Sequence, residues 1–304
     1  MLLKKNILVS VIIPVFNGIN FIDFAIKSVL NQDYNSVEII VVNDGSLDGT
    51  GNYLDKLKIN NLTIIHTENR GQSSAINLGM KSAKGSIVGY LSADDIFHPE
   101  LISSVVNEFQ KESKIICVYP NYNLINTKGQ ILKTIQVPLF NKKTMIEDLY
   151  CFPGPGAFFY KSHFMILKGW DKSFSQIPDL EFWIRLSQYG NFKGIDKVLA
   201  SFRIHDQSGS VKKISFSKSN EIIFLANRLI KEGWNSKKIY SNAYMIAAFH
   251  HFKSNRFSIG LNYITKSVIS RPKILMSLNI YKFIFKVPFL GIFCLLNYIA
   301  KPFF

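Results

Sequence analysis

Ile39-Ile40-Val41-Val42-Asn43-Asp44-Gly45-Ser46 is the stretch that decides the architecture. Its four β-branched residues are apolar on both faces of an extended chain, which suits a strand whose sheet is covered on both sides. The Asn-Asp-Gly-Ser that follows stops the strand and turns the chain. Toward the N-terminus, Phe21, Ile22, Ala25, Ile26, Val29 and Leu30 recur at helical spacing, and Val9, Val11 and Ile13 begin a strand before them. Toward the C-terminus, the pattern predicts strands at 62–65, 87–91 and 115–119 and helices at 72–83 and 101–109. At least four βα units therefore follow one another, an α/β class with a parallel sheet.

Chemistry in such sheets collects past the carboxyl ends of the strands. Those ends read Pro14-Val15-Phe16-Asn17, Asn43-Asp44-Gly45-Ser46, Glu68-Asn69-Arg70-Gly71 and Ser92-Ala93-Asp94-Asp95. Any one is an ordinary polar turn. All four on one edge of one sheet point to a site.

With 304 residues, 47% hydrophobic and 19% charged, the chain is neither disordered nor dependent on disulfide staples. Cys117, Cys151 and Cys294 are widely spaced and lie in or beside apolar sequence, which reads as buried thiols in a reducing compartment. The net charge of +15 favours an anionic partner, whether nucleic acid, acidic substrate or membrane surface. Lys4 and Lys5 precede an apolar run, but Ser10, Pro14 and Asn17-Gly18 interrupt it without a small-residue cleavage pattern, so a first strand and a cytoplasmic chain are expected.

Beyond Tyr122 the pattern loosens into a hairpin with a strand at 131–137 and an irregular Cys151-Phe152-Pro153-Gly154-Pro155-Gly156 turn. An amphipathic helix follows, with Asp179 at the N-cap position. Residues 212–304 contain Glu221 and Glu232 as their only acids and read as helices at 222–229, 240–253 and 258–269 plus a tail. In that tail Lys273, Lys282, Lys286 and Lys301 stand among Phe, Leu and Ile. Its longest uncharged run, 287–300, contains Pro288 and Gly291 and falls short of the roughly 20 residues that span a bilayer. It reads as lying in an interface, or as packing on protein.

Asp94-Asp95 is the strongest chemical signal. Adjacent carboxylates repel unless a cation or donors compensate them, and a divalent metal with a nucleoside diphosphate does so. Asp44 is placed for a base edge or ribose hydroxyl, and Mg²⁺ or Mn²⁺ suits such oxygen-rich sites. No Cys/His cluster has zinc spacing, and neither a dinucleotide fingerprint, a P-loop nor a G-x-S-x-G elbow is present. His66, His98, His163, His250 and His251 have structural settings, whereas His205 closes an apolar stretch before Asp206-Gln207-Ser208 and suits a metal or phosphate.

Pro14-x-x-Asn17, Val42-Asn43-Asp44-Gly45-Ser46 with Asp48, Asn69-x-Gly71, Ala75-x-Asn77-x-Gly79, Asp94-Asp95, Gly154-Pro155-Gly156, Gly169-Trp170-Asp171, Asp179-Leu180-Glu181-Phe182-Trp183 and Arg203-Ile204-His205 occur in that order. The series resembles the family 2 inverting glycosyltransferases with a GT-A fold, of the bacterial surface-polysaccharide type, over residues 7 to 210. The resemblance implies a GT-A catalytic domain at 1–211, with a nucleotide-sugar half at 1–120 and an acceptor half at 121–211, and a basic helical region at 212–304. It implies that Pro14, Asn17 and Asp44 hold the base and ribose of a nucleotide-sugar donor, a UDP-sugar foremost, with Arg70 or the backbone around Asn69, Arg70 and Gly71 near base or phosphates. Asp95 and His205 would ligate Mn²⁺ or Mg²⁺, Asp94 would hold ribose or sugar hydroxyls, and Asp179 would be the general base. Glu181 and Trp183 would support the acceptor pocket.

Two positions depart from the family pattern: Ser92 stands where Asp is frequent, and Pro178 replaces the acid before the base. The resemblance and the basic tail together imply a saccharide acceptor on a polyprenyl diphosphate, reached from the cytoplasmic face of the membrane by peripheral contact. Without a long processive membrane region in the sequence, addition of single sugars is expected. A sugar-nucleotide-modifying enzyme or nucleotidyltransferase is the alternative, separated by whether a glycosidic bond forms. Nucleic-acid binding would need interleaved basic and aromatic residues that the sequence lacks.

Overall fold

Residues 7–206, 208, 212–234 and 236–276 are described by a computed structural model of the chain. Two compact units form, one of Met1–Met145 with Tyr150–Lys212, the other of Ile146–Leu149 with Lys213–Phe304.

In the first unit β1 (Val9–Val15), α1 (Ile22–Leu30), β2 (Val37–Asp44), α2 (Thr50–Leu54), β3 (Leu62–Thr67), α3 (Gln72–Ser82) and β4 (Ile87–Tyr90) alternate. β1 runs parallel to β2 and β4, and β2 parallel to β3, so four carboxyl ends open on one edge. Every β1 residue is buried, which is why its sequence is apolar throughout. Val9, Val11 and Ile13 pack with Ile22, Ala25, Ile26 and Val29 of α1. Against the other face α3 approaches so closely that a Cβ on Gly79 would stand 2.5 Å from Ile12 Cγ2 and 3.1 Å from Val42 Cγ2.

The unit continues through β5 (Ile96–Phe97), α4 (Leu101–Lys111), β6 (Ile115–Ile125) and β7 (Ile131–Ile135), after which α5 (Lys142–Glu147) runs to the unit boundary. β8 (Phe158–Tyr160), α6 (Lys161–Ile166), α7 (Pro178–Leu186) and β9 (Asn191–Arg203) complete it. The nine-stranded sheet has the order β3-β2-β1-β4-β8-β6-β9-β5, with β7 on β6. It is mixed: β8 lies antiparallel between β4 and β6, and β9 is parallel to β6 but antiparallel to β5. A mixed sheet is what the GT-A resemblance implies, and β6 and β7 fall on the strands expected at 115–119 and 131–137; the three-residue β8 has no readable period and is not among the expected strands. The expected division at 120/121 falls inside β6, and the strand expected to reach 137 ends at Ile135.

The second unit holds α8 (Phe216–Lys231), α9 (Lys237–Lys253), α10 (Phe257–Ser270) and a 3₁₀ turn, Pro272–Met276. The Ser215 and Ser236 hydroxyls cap α8 and α9. Met245, Ala248, Phe252, Ile264 and Ile274 form its apolar core. No helix among the described residues is long and apolar enough to cross a membrane. The apolar run at 287–300 and Lys282, Lys286 and Lys301 lie outside the described residues.

Candidate active site

Loops and strand ends of the first unit enclose a cavity of about 780 Å³. Pro14 and Asn17 reach it from β1, Asp44 from β2, Asp94 from beyond β4, Asp179 from α7 and His205 from beyond β9.

Asp44 is buried, and its two oxygens are claimed by backbone: Oδ1 accepts from Arg70 N (2.9 Å) and Oδ2 from Gly71 N (2.8 Å). The φ of +85° at Gly71 lets the chain turn into α3 there. Asn69, Arg70 and Gly71 do not line the cavity, and the Arg70 side chain is 67% exposed, pairing with Glu68 at 3.3 Å. Of the two alternatives expected near the donor, the Arg70 side chain or the backbone of this stretch, it is the backbone N–H groups of Arg70 and Gly71 that meet Asp44 of the cavity lining. Asn17, at φ +53°, knits two loops together, since its N–H donates to Ser46 Oγ (2.9 Å) and its Oδ1 accepts from Leu47 N (2.8 Å). Asp48 accepts from Ile19 N at 3.1 Å, which gives its place in the motif a structural cause.

The adjacent acids part company. Asp94 faces the cavity, and its Oδ2 lies 2.9 Å from His205 Nε2. Asp95 is 3% exposed and outside the cavity wall; its Oδ1 accepts from Arg203 N at 2.8 Å. Burial, then the Asp94 charge, pushes the Asp95 carboxyl well up. Arg203 donates to the carbonyls of Asp94 (2.8 Å) and Asn126 (2.9 Å) and lies over the Phe21 ring at 4.9 Å, so this cation braces the loop. A carboxylate oxygen and an imidazole nitrogen converging on one cavity suit Mn²⁺ or Mg²⁺ when a ligand supplies further oxygens. Among the described residues no group of three acids, histidines or cysteines forms a complete cage.

Asp179 sits inside the first turn of α7, not at the N-cap, because Pro178 takes the first helical position, where its missing N–H costs nothing. Leu180 N donates to its Oδ1 at 2.8 Å, and Cys151 Sγ stands 3.8 Å from Oδ2. Its edge reaches the cavity, yet desolvation raises its pKa.

Glu181 and Trp183, expected to support the acceptor pocket, are buried and do not line the cavity. Glu181 is 0% exposed and grips Arg185 through Nε (2.6 Å) and Nη2 (2.7 Å); Arg185 in turn donates to the carbonyls of Leu167 and Gly169, both at 2.8 Å. Trp183 is core, edge-on to Phe159 at 5.5 Å. A residue three or four places along a helix shares a face with its neighbour, but Asp179 and Glu181 are two apart and point differently.

Tyr90, Trp170, Gln72, Gln176 and Lys212 also line the cavity and escaped the sequence reading as site residues. Trp170 stands in the Gly169-Trp170-Asp171 motif, and Asn77 donates to Trp170 O (2.9 Å) and accepts from Trp170 N (2.8 Å), so the motifs of Asn77 and Trp170 form one clamp. Tyr90 meets the Trp170 ring edge-on at 5.0 Å.

The family described as Glycosyl transferase family 2 matches residues 10–173. An uncharacterized glycosyltransferase of Rickettsia prowazekii (strain Madrid E) is 34% identical over 218 residues, 67% of each chain. A chondroitin synthase of Escherichia coli is 27% identical over 234 residues, which are 76% of this chain and 34% of that protein. The chain thus spans about a third of that synthase, and 23% of a Pasteurella multocida hyaluronan synthase it also matches. Among solved structures, S. aureus TarS 1-349 in complex with UDP-GlcNAc superposes with a TM-score of 0.67 at 16% identity, over 88% of this chain and 82% of that one. Mannosyltransferase PcManGT from Pyrobaculum calidifontis, in complex with GDP-Man and Mn²⁺, gives 0.59 at 14% identity, over 90% and 76%. The mixed α/β sheet is that of the GT-A glycosyltransferases, and by the stretch that contains its strand-end motifs the chain belongs to glycosyltransferase family 2.

Proposed function

We propose that the chain transfers one sugar, with inversion, from a nucleoside-diphosphate sugar to a hydroxyl of a saccharide acceptor. The observation that carries this reading is that Asp179, Asp44 and the Asp94–His205 pair open on one cavity from separate elements. Pro14, Asn17 and Asp44 receive base and ribose, and Lys212 faces the diphosphate. His205 would hold Mn²⁺ or Mg²⁺ with Asp94, which faces the cavity beside it, and with Asp95, whose Oδ1 alone is bonded to Arg203 N. Such a cation, when bound, would neutralise charge on the leaving diphosphate. Asp179 takes the acceptor proton while the hydroxyl oxygen attacks the anomeric carbon on the face opposite the diphosphate, inverting that carbon. Tyr90 and Trp170 offer the acceptor ring an apolar wall.

The acceptor in this reading is carried on a polyprenyl diphosphate at the cytoplasmic membrane face, for surface-polysaccharide assembly, and the basic region 212–304 makes the peripheral contact. Flotation with anionic vesicles that is lost at high salt supports this, and recovery free of membranes at low salt refutes it.

The test is binding and hydrolysis of UDP-, GDP-, dTDP- and CMP-sugars with and without Mn²⁺ or Mg²⁺, on wild type, Asp94→Ala, Asp95→Asn and Asp179→Asn. One donor is expected to bind with metal, to be lost in Asp94→Ala, and to bind without turnover in Asp179→Asn. Failure of every donor overturns the transferase reading. Metal-dependent binding kept by Asp94→Ala and lost in folded Asp95→Asn leaves the metal to Asp95 and His205.

A further inference from the structure

A base that must take a proton from a passing hydroxyl needs its carboxylate held in one orientation and kept ionised. Asp179 Oδ1 is held by Leu180 N, and Oδ2 faces Cys151 Sγ at 3.8 Å. Cys151 lies in the loop between α5 and β8, and its thiol stands 3.3 Å from Pro153 O as well. One S–H proton thus has two acceptors. Tyr90 also feels the Asp179 charge, and after it those of Cys151 and Asp95.

We propose that Cys151 is a positioning residue for Asp179: its S–H donates to Oδ2 while the carboxylate is ionised and turns to Pro153 O once the carboxylate carries the acceptor proton. This rests on Asp179 being the base. No bond to sulfur forms or breaks, and the thiol proton stays on sulfur. Burial, and after it the Asp179 charge, push the Cys151 thiol up, which keeps it a donor and not a thiolate. A donor on the ionised carboxylate favours ionisation, so the thiol lowers the pH at which Asp179 becomes competent, against the upward pull of burial.

The experiment compares pH profiles of kcat and KM for the full chain as wild type, Cys151→Ala, the closer-volume Cys151→Val, Cys151→Ser and Asp179→Asn. Cys151→Ala and Cys151→Val are expected to lower kcat at neutral pH by roughly three- to tenfold, leave donor KM unchanged and move the acid limb up by about half a pH unit. Cys151→Ser, which restores a hydroxyl donor, is expected to bring the limb part of the way back. Either alanine or valine variant with wild-type kcat and limb, beside an inactive Asp179→Asn, overturns the role of Cys151 and leaves the base in place. Wild-type turnover by Asp179→Asn overturns the base and the thiol's role with it.

Discussion

Replacing Glu181 by Ala strikes the most fully paired charge behind the site. Glu181 is 0% exposed and Arg185 23%, so the guanidinium gains little water when its partner goes. Breaking a buried pair by removing one member costs about 3–5 kcal/mol. Because Arg185 keeps its bonds to the carbonyls of Leu167 and Gly169, the lower end, about 3 kcal/mol, applies. For a domain of this size that lowers the melting temperature by roughly 6–12 °C, at about 2–4 °C per kcal/mol. Glu181→Gln keeps the shape and one acceptor and loses less. The double variant Glu181→Leu/Arg185→Leu does not return to wild type, because two carbonyls lose charged donors worth about 1.5–3 kcal/mol each. Gly169 precedes Trp170, so acceptor KM rises alongside the loss of stability. Thermal melts of the single and double variants with acceptor titrations check this. A Glu181→Ala melt within about 2 °C of wild type, or a double variant as stable as wild type, refutes the strut.

Because burial raises the Asp179 pKa and a base works only when ionised, kcat falls on the acid side above the ordinary carboxylate range of about 4, and a limb at or below that pH contradicts the assignment. The same raised pKa means that the stability Asp179 contributes is present below its unfolded value and lost as pH rises through the folded one, so Asp179→Asn melts above wild type at neutral pH. Asp44→Ala leaves Arg70 N and Gly71 N unpaired; donor Kd rises about 10- to 100-fold, and titration with the bound nucleotide alone shows the same rise. Gly79→Ala drives a Cβ to 2.5 Å from Ile12 Cγ2 and destabilises by about 1–3 kcal/mol, which an unchanged melt disproves.

The parallel half of the sheet was legible because both faces are buried and its strands are continuous apolar runs, as in Val9–Val15. Of the rest, the β6–β7 hairpin was legible, but β8 and β9 were not, since β8 has three residues and β9 alternates irregularly, with register shifts against β6. At the site, residue type marked Asp44, Asp94 and His205, and the family resemblance added Asp179. It did not say which of two adjacent acids faces inward, because that depends on the backbone N–H of Arg203, 108 positions on. Nor did it reveal that Asn77 and Trp170 meet, or that Glu181 spends its charge on Arg185, because pairing across loops has no period to read.

The antiparallel insertion of β8 also bears on how the chain emerges from a ribosome. Once residues 87–90 are made, β4 can join β1, but its outer edge finds its partner in β8, roughly 70 residues later and, at about 5–20 residues per second, some 3–14 s afterwards. Until then the nascent sheet presents an open row of N–H and C=O groups on an apolar strand, the template on which neighbouring chains pair. Phe158 and Phe159 therefore act as the molecule's closing stitch, and slowed synthesis between residues 90 and 158 would lengthen the interval in which a holdase must guard that edge.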